Sequence, residues 1–203
     1  MILDPYFYVV AVLSVFFHGM GKAGFGLGLP ILAIPLMSIF IPPLQALAIL
    51  VIPLIFMDLV TIRRFWSLWD LELVKSIIPL TLFGVIIGTI TYSFLSDNSI
   101  RIILGVIACG FGLEYFVNKS KKIVKSSKAA GTFWSTLAGF TSFTIHAGGL
   151  PLSFYLLPMR LDRRKYVATL AIVFLALNLF KMIPYAYFGQ INFQNLLTSI
   201  LLL

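Results

Sequence analysis

The chain has 203 residues, of which 60% are hydrophobic and only 11% are charged, and its mean hydropathy is +1.03. A soluble domain is about 25% charged and roughly half apolar, so this composition excludes a soluble enzyme, a disordered tail and a disulfide scaffold. Lys and Arg number 15 against 7 Asp and Glu, a formal charge of +8, which on so apolar a chain reads as the positive bias of cytoplasmic loops and not as a nucleic-acid surface.

The class predicted is an all-α polytopic membrane protein. Its apolar runs are long and unbroken, whereas an outer-membrane barrel needs alternating segments of ~10 residues. The start, "MILDPYFYVV", has no basic region and no small-residue cleavage site, so it does not read as a removable signal peptide. Seven apolar segments follow: A, Pro5–Phe40; B, Pro43–Ile62; C, Leu73–Leu95; D, Ser99–Val117; E, Gly131–Met159; F, Tyr166–Phe188; and G, from Ile191 onward. A membrane span needs ~20 residues. B, C, D and F have that length, but A and E are too long for one straight span. Each is interrupted at its centre, A by "GMGKAGFGLGLP" and E by "TSFTIHAGGLP". Such Gly- and Pro-rich stretches are poor helix formers.

The chain also resembles itself. "GLGLPILAIPLM" (Gly26–Met37) matches "AGGLPLSFYLLPM" (Ala147–Met159), pairing Gly28 with Gly149 and Pro30 with Pro151. "ALAILVIPLIFMD" (Ala46–Asp58) matches "VATLAIVFLALN" (Val167–Asn178), pairing Asp58 with Asn178. The division expected is a transmembrane repeat over 1–118, a Lys-rich cytoplasmic linker over 119–130 and a second repeat over 131–203. The second repeat is shorter, and a last span is predicted to be missing from it.

Loop charge sets the orientation. Most cations lie after B (Arg63, Arg64, Lys75), after D (Lys119, Lys121, Lys122, Lys125, Lys128) and after E (Arg160, Arg163, Arg164, Lys165). Plain alternation of seven spans would put the loop after E outside. If A and E are broken hairpins whose ends return to one side, all three basic loops face the cytoplasm. Each repeat then crosses an odd number of times, and the two halves are inverted. Inverted repeats with discontinuous helices are a plan of secondary transporters, with the site at the repeat interface near the midplane. Four spans per repeat in parallel orientation is the rival, at the cost of one misplaced basic loop.

Irregular backbone at membrane depth is tolerated only where protein or a water-filled cavity satisfies it, so the two interruptions are the first candidates for function. Lys22 sits among Gly19, Gly21, Gly24, Gly26 and Gly28, before a returning half-helix expected to start near Leu29–Pro30. Gly148, Gly149 and Pro151 repeat the arrangement. Two helix N-termini aimed at one point, with Lys22 beside them, form a physical design for an anion. Asp58 and Lys181 are ionisable groups in apolar spans and are functional candidates on that ground. Asn178 and Lys181 share a helix face, and Pro184 should kink their helix. Asp58 has a plainer alternative in pairing with Arg63 or Arg64, and Lys181 one in neutralising Asp58. His146 and His18 flank the interruptions and either could carry a proton. Thr141, Ser142 and Thr144 line a polar path or bond back to their own helix. Glu114 reads as interfacial. Cys109 stands alone, and no metal site, cofactor motif, nucleotide loop or protease motif is present.

With "GMGKAGFGLGLPILAIPLM", "PPLQALAILVIPLIFMDLVTIRRFW" and "GFTSFTIHAGGLPLSFYLLPMRLDRRKYVATLAIVFLALNLFKMIPYAYFG" quoted together, the chain closely resembles the TauE/SafE family over nearly its whole length. The resemblance rests on Gly21–Gly26, His146–Pro151 and Asn178–Tyr185. Ala23 departs from it, standing where members commonly have glycine. It implies a multi-pass transporter of the bacterial inner membrane that exports sulfite or organosulfonates such as sulfoacetate, with no enzymatic activity and no cofactor. The expected partners are the lipid bilayer and a small oxyanion, with no nucleic acid; a homo-oligomer is left open. Substrate-binding candidates are Lys22, Gly24, Gly26, Gly28, Pro30, Gly148, Gly149, Pro151, Asn178 and Lys181. Coupling or gating candidates are Asp58, His146, Thr141 and Ser142. Two other readings stay open: a membrane enzyme using His146 with Thr141 or Ser142, and a non-transporting subunit or assembly factor that needs a partner.

Overall fold

The computed structural model describes residues 2, 4–23, 29–94, 98–99, 101–102, 105–106, 109–110, 113 and 127–203. Every regular element among them is helical: α1 (Pro5–Lys22), a 3-10 turn (Leu29–Leu32), α2 (Ala33–Met37), α3 (Pro43–Arg64), α4 (Leu71–Ser93), α5 (Lys128–Ile145), α6 (Gly149–Leu156), a second 3-10 turn (Leu157–Met159), α7 (Arg163–Tyr187) and α8 (Phe193–Ile200). The described residues between 98 and 113 are helical too. Three helices, α3, α4 and α7, are long and apolar enough to cross a bilayer.

Polar side chains start most of these helices. Asp4 accepts from Tyr6 N at 2.9 Å, Asp70 from Leu73 N at 3.1 Å, Ser127 from Ala130 N at 3.1 Å, Asp162 from Arg164 N at 2.9 Å and Asn192 from Asn195 N at 3.0 Å. Each satisfies a helix N–H that has no partner within the helix. Among the described aspartates Asp58 alone caps nothing, and it lies buried inside α3. Ser127 starts α5 at Lys128, so the last residues of the predicted linker are already helix.

Segments A and E each fold back on themselves. In A, the Phe7 ring lies 6.4 Å from that of Phe40, and Ser14 Oγ donates to the Ala33 carbonyl at 3.3 Å. In E, Trp134 and Phe154 are 4.8 Å apart, and a Cβ on Gly131 would meet the Tyr155 ring at 2.7 Å. The return of A is a 3-10 turn followed by five residues of α-helix, not the half-helix expected from Pro30. Pro35 weakens this return, because it has no N–H for the Ile31 carbonyl and its ring crowds that carbonyl, whereas Pro53 and Pro79 are carried within the longer helices α3 and α4. Pro184 sits in the last turn of α7, which ends three residues later without interruption.

The contacts fix the helix directions. Asp58 on α3 meets Asn178 on α7, while Asp70, just past α3, meets Lys165 and Thr169 near the start of α7. These pairings run in opposite order along the two helices, so α3 and α7 are antiparallel. α4 runs with α7, from Asp70 beside Lys165 to Tyr92 at 5.5 Å from Phe188. α5 runs with α4, and α1 runs with α3, from Phe7 near Phe40 to Lys22 on Asp58. The two hairpins therefore enter the bundle in opposite senses.

The α4–α5 crossing depends on small residues. A Cβ on Gly84 would sit 2.0 Å from the Thr136 carbonyl oxygen, and one on Gly139 1.9 Å from that of Thr81. Gly84 and Gly139 thus meet the facing backbone directly, while Gly88, one turn on, makes room for the Phe143 side chain. Such small residues let backbones approach in lipid, where packing drives association without a hydrophobic effect between helices.

Candidate functional site

One cavity lies where the folds in A and E approach α3 and α7. It contains about 780 Å³ of empty space, its open mouth included, and its lining includes Lys22, Asp58, His146 and Lys181. Thr61, Tyr166 and Val167 also line it. They lie within a turn of Arg63–Arg64 and Arg163–Lys165, so the cavity sits toward the basic end of the bundle. On the far side of His146, Tyr185 and Phe143 stack with centroids 5.4 Å apart, and Tyr185 Oη donates to the Phe143 carbonyl at 3.2 Å. Their rings fill the space there.

Two polar groups occupy the walls. In the first, Lys22 is ion-paired with Asp58 Oδ1 and Asn178 Nδ2 donates to Asp58 Oδ2 at 2.8 Å. This answers the question the sequence left open: Asp58 pairs with neither Arg63 nor Arg64, and it is Lys22, not Lys181, that neutralises it. The Lys22 ammonium also lies 5.4 Å above the Phe174 ring, a cation–π arrangement.

In the second, fully buried Lys181 (0% exposed) donates to the Ser142 carbonyl at 3.1 Å, to Ser142 Oγ at 3.0 Å and to His146 Nδ1 at 2.9 Å. Those three bonds use all three ammonium hydrogens. His146 Nε2 lies 2.9 Å from the Leu47 carbonyl. A carbonyl only accepts, so Nε2 carries the hydrogen and Nδ1 is the acceptor facing Lys181. The ring is held there because His146 adopts a left-handed backbone, φ 54°, at the end of α5.

With both lysines protonated, two ammonium groups face one carboxylate, and the carboxylate is engaged by Lys22. Among the described residues Lys181 touches only neutral partners. A cation held away from water without a counter-ion is costly, and an anion entering the cavity would relieve that cost.

The remaining candidates divide. Pro30 and Gly149 line the cavity. Gly148 lies outside the lining and serves close packing, since a Cβ there would meet the Ala138 carbonyl at 2.6 Å. Pro151 is buried in α6. Thr141 and Thr144 bond back to the carbonyls of Leu137 and Phe140 at 2.9 and 3.0 Å. Gly24, Gly26, Gly28 and Glu114 lie outside the described residues. Sequence reasoning passed over Thr61, Phe174 and Tyr166, whose buried hydroxyl has no hydrogen-bond partner among the described residues. A tyrosine next to a basic run at a span end reads as an ordinary interface anchor, so only the folded arrangement shows it.

The profile of the sulfite exporter TauE/SafE family matches residues 11–203. Neither curated proteins nor solved structures give a match. With its apolar helices and its match across almost the whole length, the chain belongs to the TauE/SafE family, a family of multi-pass membrane transporters of sulfite-type anions and not of enzymes.

Proposed function

We propose that the chain exports sulfite or a small organosulfonate across a bacterial inner membrane, binding it in the cavity between the two folded-back segments. The observation that carries this reading is the buried Lys181 amine, which has no acidic partner among the described residues, beside the Lys22–Asp58 pair. A monoanion brings the cavity to neutrality. Lys22, reached from the cavity, Asn178 and the Tyr166 hydroxyl supply donors. Oxygen-rich anions accept several such bonds at once, and charge-assisted ones are the strong ones. The basic residues near the mouth raise the local anion concentration.

Inverted repeats are supported by an arrangement at the centre. Asp58 and Asn178, equivalent in the internal repeat and 120 residues apart, hydrogen-bond to each other. Equivalent residues touch at a two-fold axis. With α3 and α7 antiparallel, that axis lies across the helices, as it does for repeats of opposite orientation and not for parallel ones. Rocking of one repeat against the other would move the pair Tyr185–Phe143 and expose the cavity to the opposite side. In this reading Asp58 and His146 gate, since each bridges elements of both repeats, Ser142 holds Lys181 in place, and Thr141 braces the end of α5.

The test is efflux from vesicles containing the purified chain, comparing sulfite with chloride and lactate. Selective sulfite efflux is expected. Equal fluxes of all three would remove the substrate assignment, and no flux with a co-purifying partner would favour the subunit reading.

A further inference from the structure

His18 is buried (3% exposed) and lines the cavity, yet only one of its nitrogens is engaged. Nδ1 lies 3.0 Å from the Ser14 carbonyl, so it carries the hydrogen and donates. Nε2 is therefore a bare lone pair, and it has no hydrogen-bond partner among the described residues. His146 has no such capacity, because both its nitrogens are committed, to Leu47 and to Lys181. The rings of the two histidines stand edge to face at 6.0 Å.

The groups facing His18 decide when that lone pair can take a proton. Lys22 comes from its own helix, Asp58 from α3, His146 from the bend after α5 and Lys181 from α7; all line the same cavity. Without an anion, a proton on Nε2 would add a third cation to two ammonium groups and one carboxylate. With a monoanion present the other charges sum to zero, and the repulsion that opposed the proton is cancelled. Charges a few ångströms apart in a protein interact by several kcal/mol at an effective dielectric of about 20, enough to link the two events.

Resting on the anion-transport reading above, we infer that His18 Nε2 takes up one proton together with each anion, so that anion and proton occupy the cavity as a pair. The proton comes from bulk water, forms one N–H bond and returns to water when the anion leaves; no other bond changes. The linkage is reciprocal: if the anion promotes protonation, acid promotes anion binding by the same factor.

The probe is methanesulfonate, whose single charge does not vary over neutral and mildly acid pH, so any pH dependence belongs to the protein. Two readouts on the purified chain are expected. Binding should take up about one proton per anion, measured with an indicator dye in weak buffer, and affinity should rise by up to about tenfold per unit fall in pH, the limit for one linked proton. His18→Gln and His18→Asn should bind with pH-independent affinity. No proton uptake by the unaltered chain overturns the inference, whatever the variants do. So does pH dependence that persists in a folded His18 variant. In both cases anion binding survives, and with it the transport reading. Failure of the unaltered chain to bind methanesulfonate or sulfite at any pH overturns both.

Discussion

Lys22 and Lys181 are both lysines in apolar surroundings, and the structure gives them different work. Lys22 answers Asp58, and its removal leaves a carboxylate buried without a counter-ion, which costs about 3–5 kcal/mol in comparable sites. Lys22→Met should therefore lower the melting temperature as well as weaken anion binding. Lys22→Met combined with Asp58→Asn should recover the melting temperature while binding stays weak, which thermal unfolding in detergent alongside a binding titration would establish. If the single variant melts like the parent chain, the ion pair is not a structural element. The sequence made these residues visible, since an ionisable group in an apolar span stands out. It could not show which lysine meets Asp58, because that depends on contacts between residues far apart in the chain. Nor did it show the Tyr166 hydroxyl or the free nitrogen of His18, because orphaned atoms become apparent only when neighbours are in place.

At the level of elements, the two interrupted segments were legible from their glycines and prolines, and both prove to be folded back. Less legible was the way each return is built: the first is a 3-10 turn followed by a five-residue helix, while the second resumes as the eight-residue α6. The first return is therefore too short to aim a helix dipole, and side chains carry most of the charge in the cavity. The α4–α5 crossing was not foreseen. Its glycines read as ordinary residues of a span until Gly84 and Gly139 are seen against the backbone of the facing helix. Gly139→Leu would drive a side chain into the Thr81 carbonyl, and it should separate the helices. We expect loss of a monodisperse species on size exclusion, whereas Gly110→Leu, where no described residue lies within 4 Å of an added Cβ, should leave the profile unchanged. The Asp70–Lys165 pair, at 2.8 Å, ties the start of α4 to the start of α7 and, together with the Leu73 N–H, holds the Asp70 carboxyl below its ordinary range. That support is present above the ordinary carboxylate pKa and is lost as pH falls through the lowered value.

Taken whole, the molecule places two oppositely directed folded-back segments against an antiparallel pair of spans, with the charged cavity between them. Orientation in the bilayer follows from the basic loops. In a Cys109→Ser background, single cysteines in the loop after α3, at Leu68, and in the loop after α6, at Leu161, should react with an impermeant maleimide from the same face; labelling from opposite faces would refute the inverted arrangement. The claim on which function rests is narrower: the cavity attracts an anion because Lys181 has no counter-ion among the described residues. Sulfite binding to Lys181→Gln tests it most directly, since glutamine keeps a hydrogen-bond donor and removes the charge. The account predicts a folded protein with unaltered elution and at least a tenfold weaker affinity, about 1.4 kcal/mol. A folded variant that binds sulfite as tightly as the parent chain would contradict it.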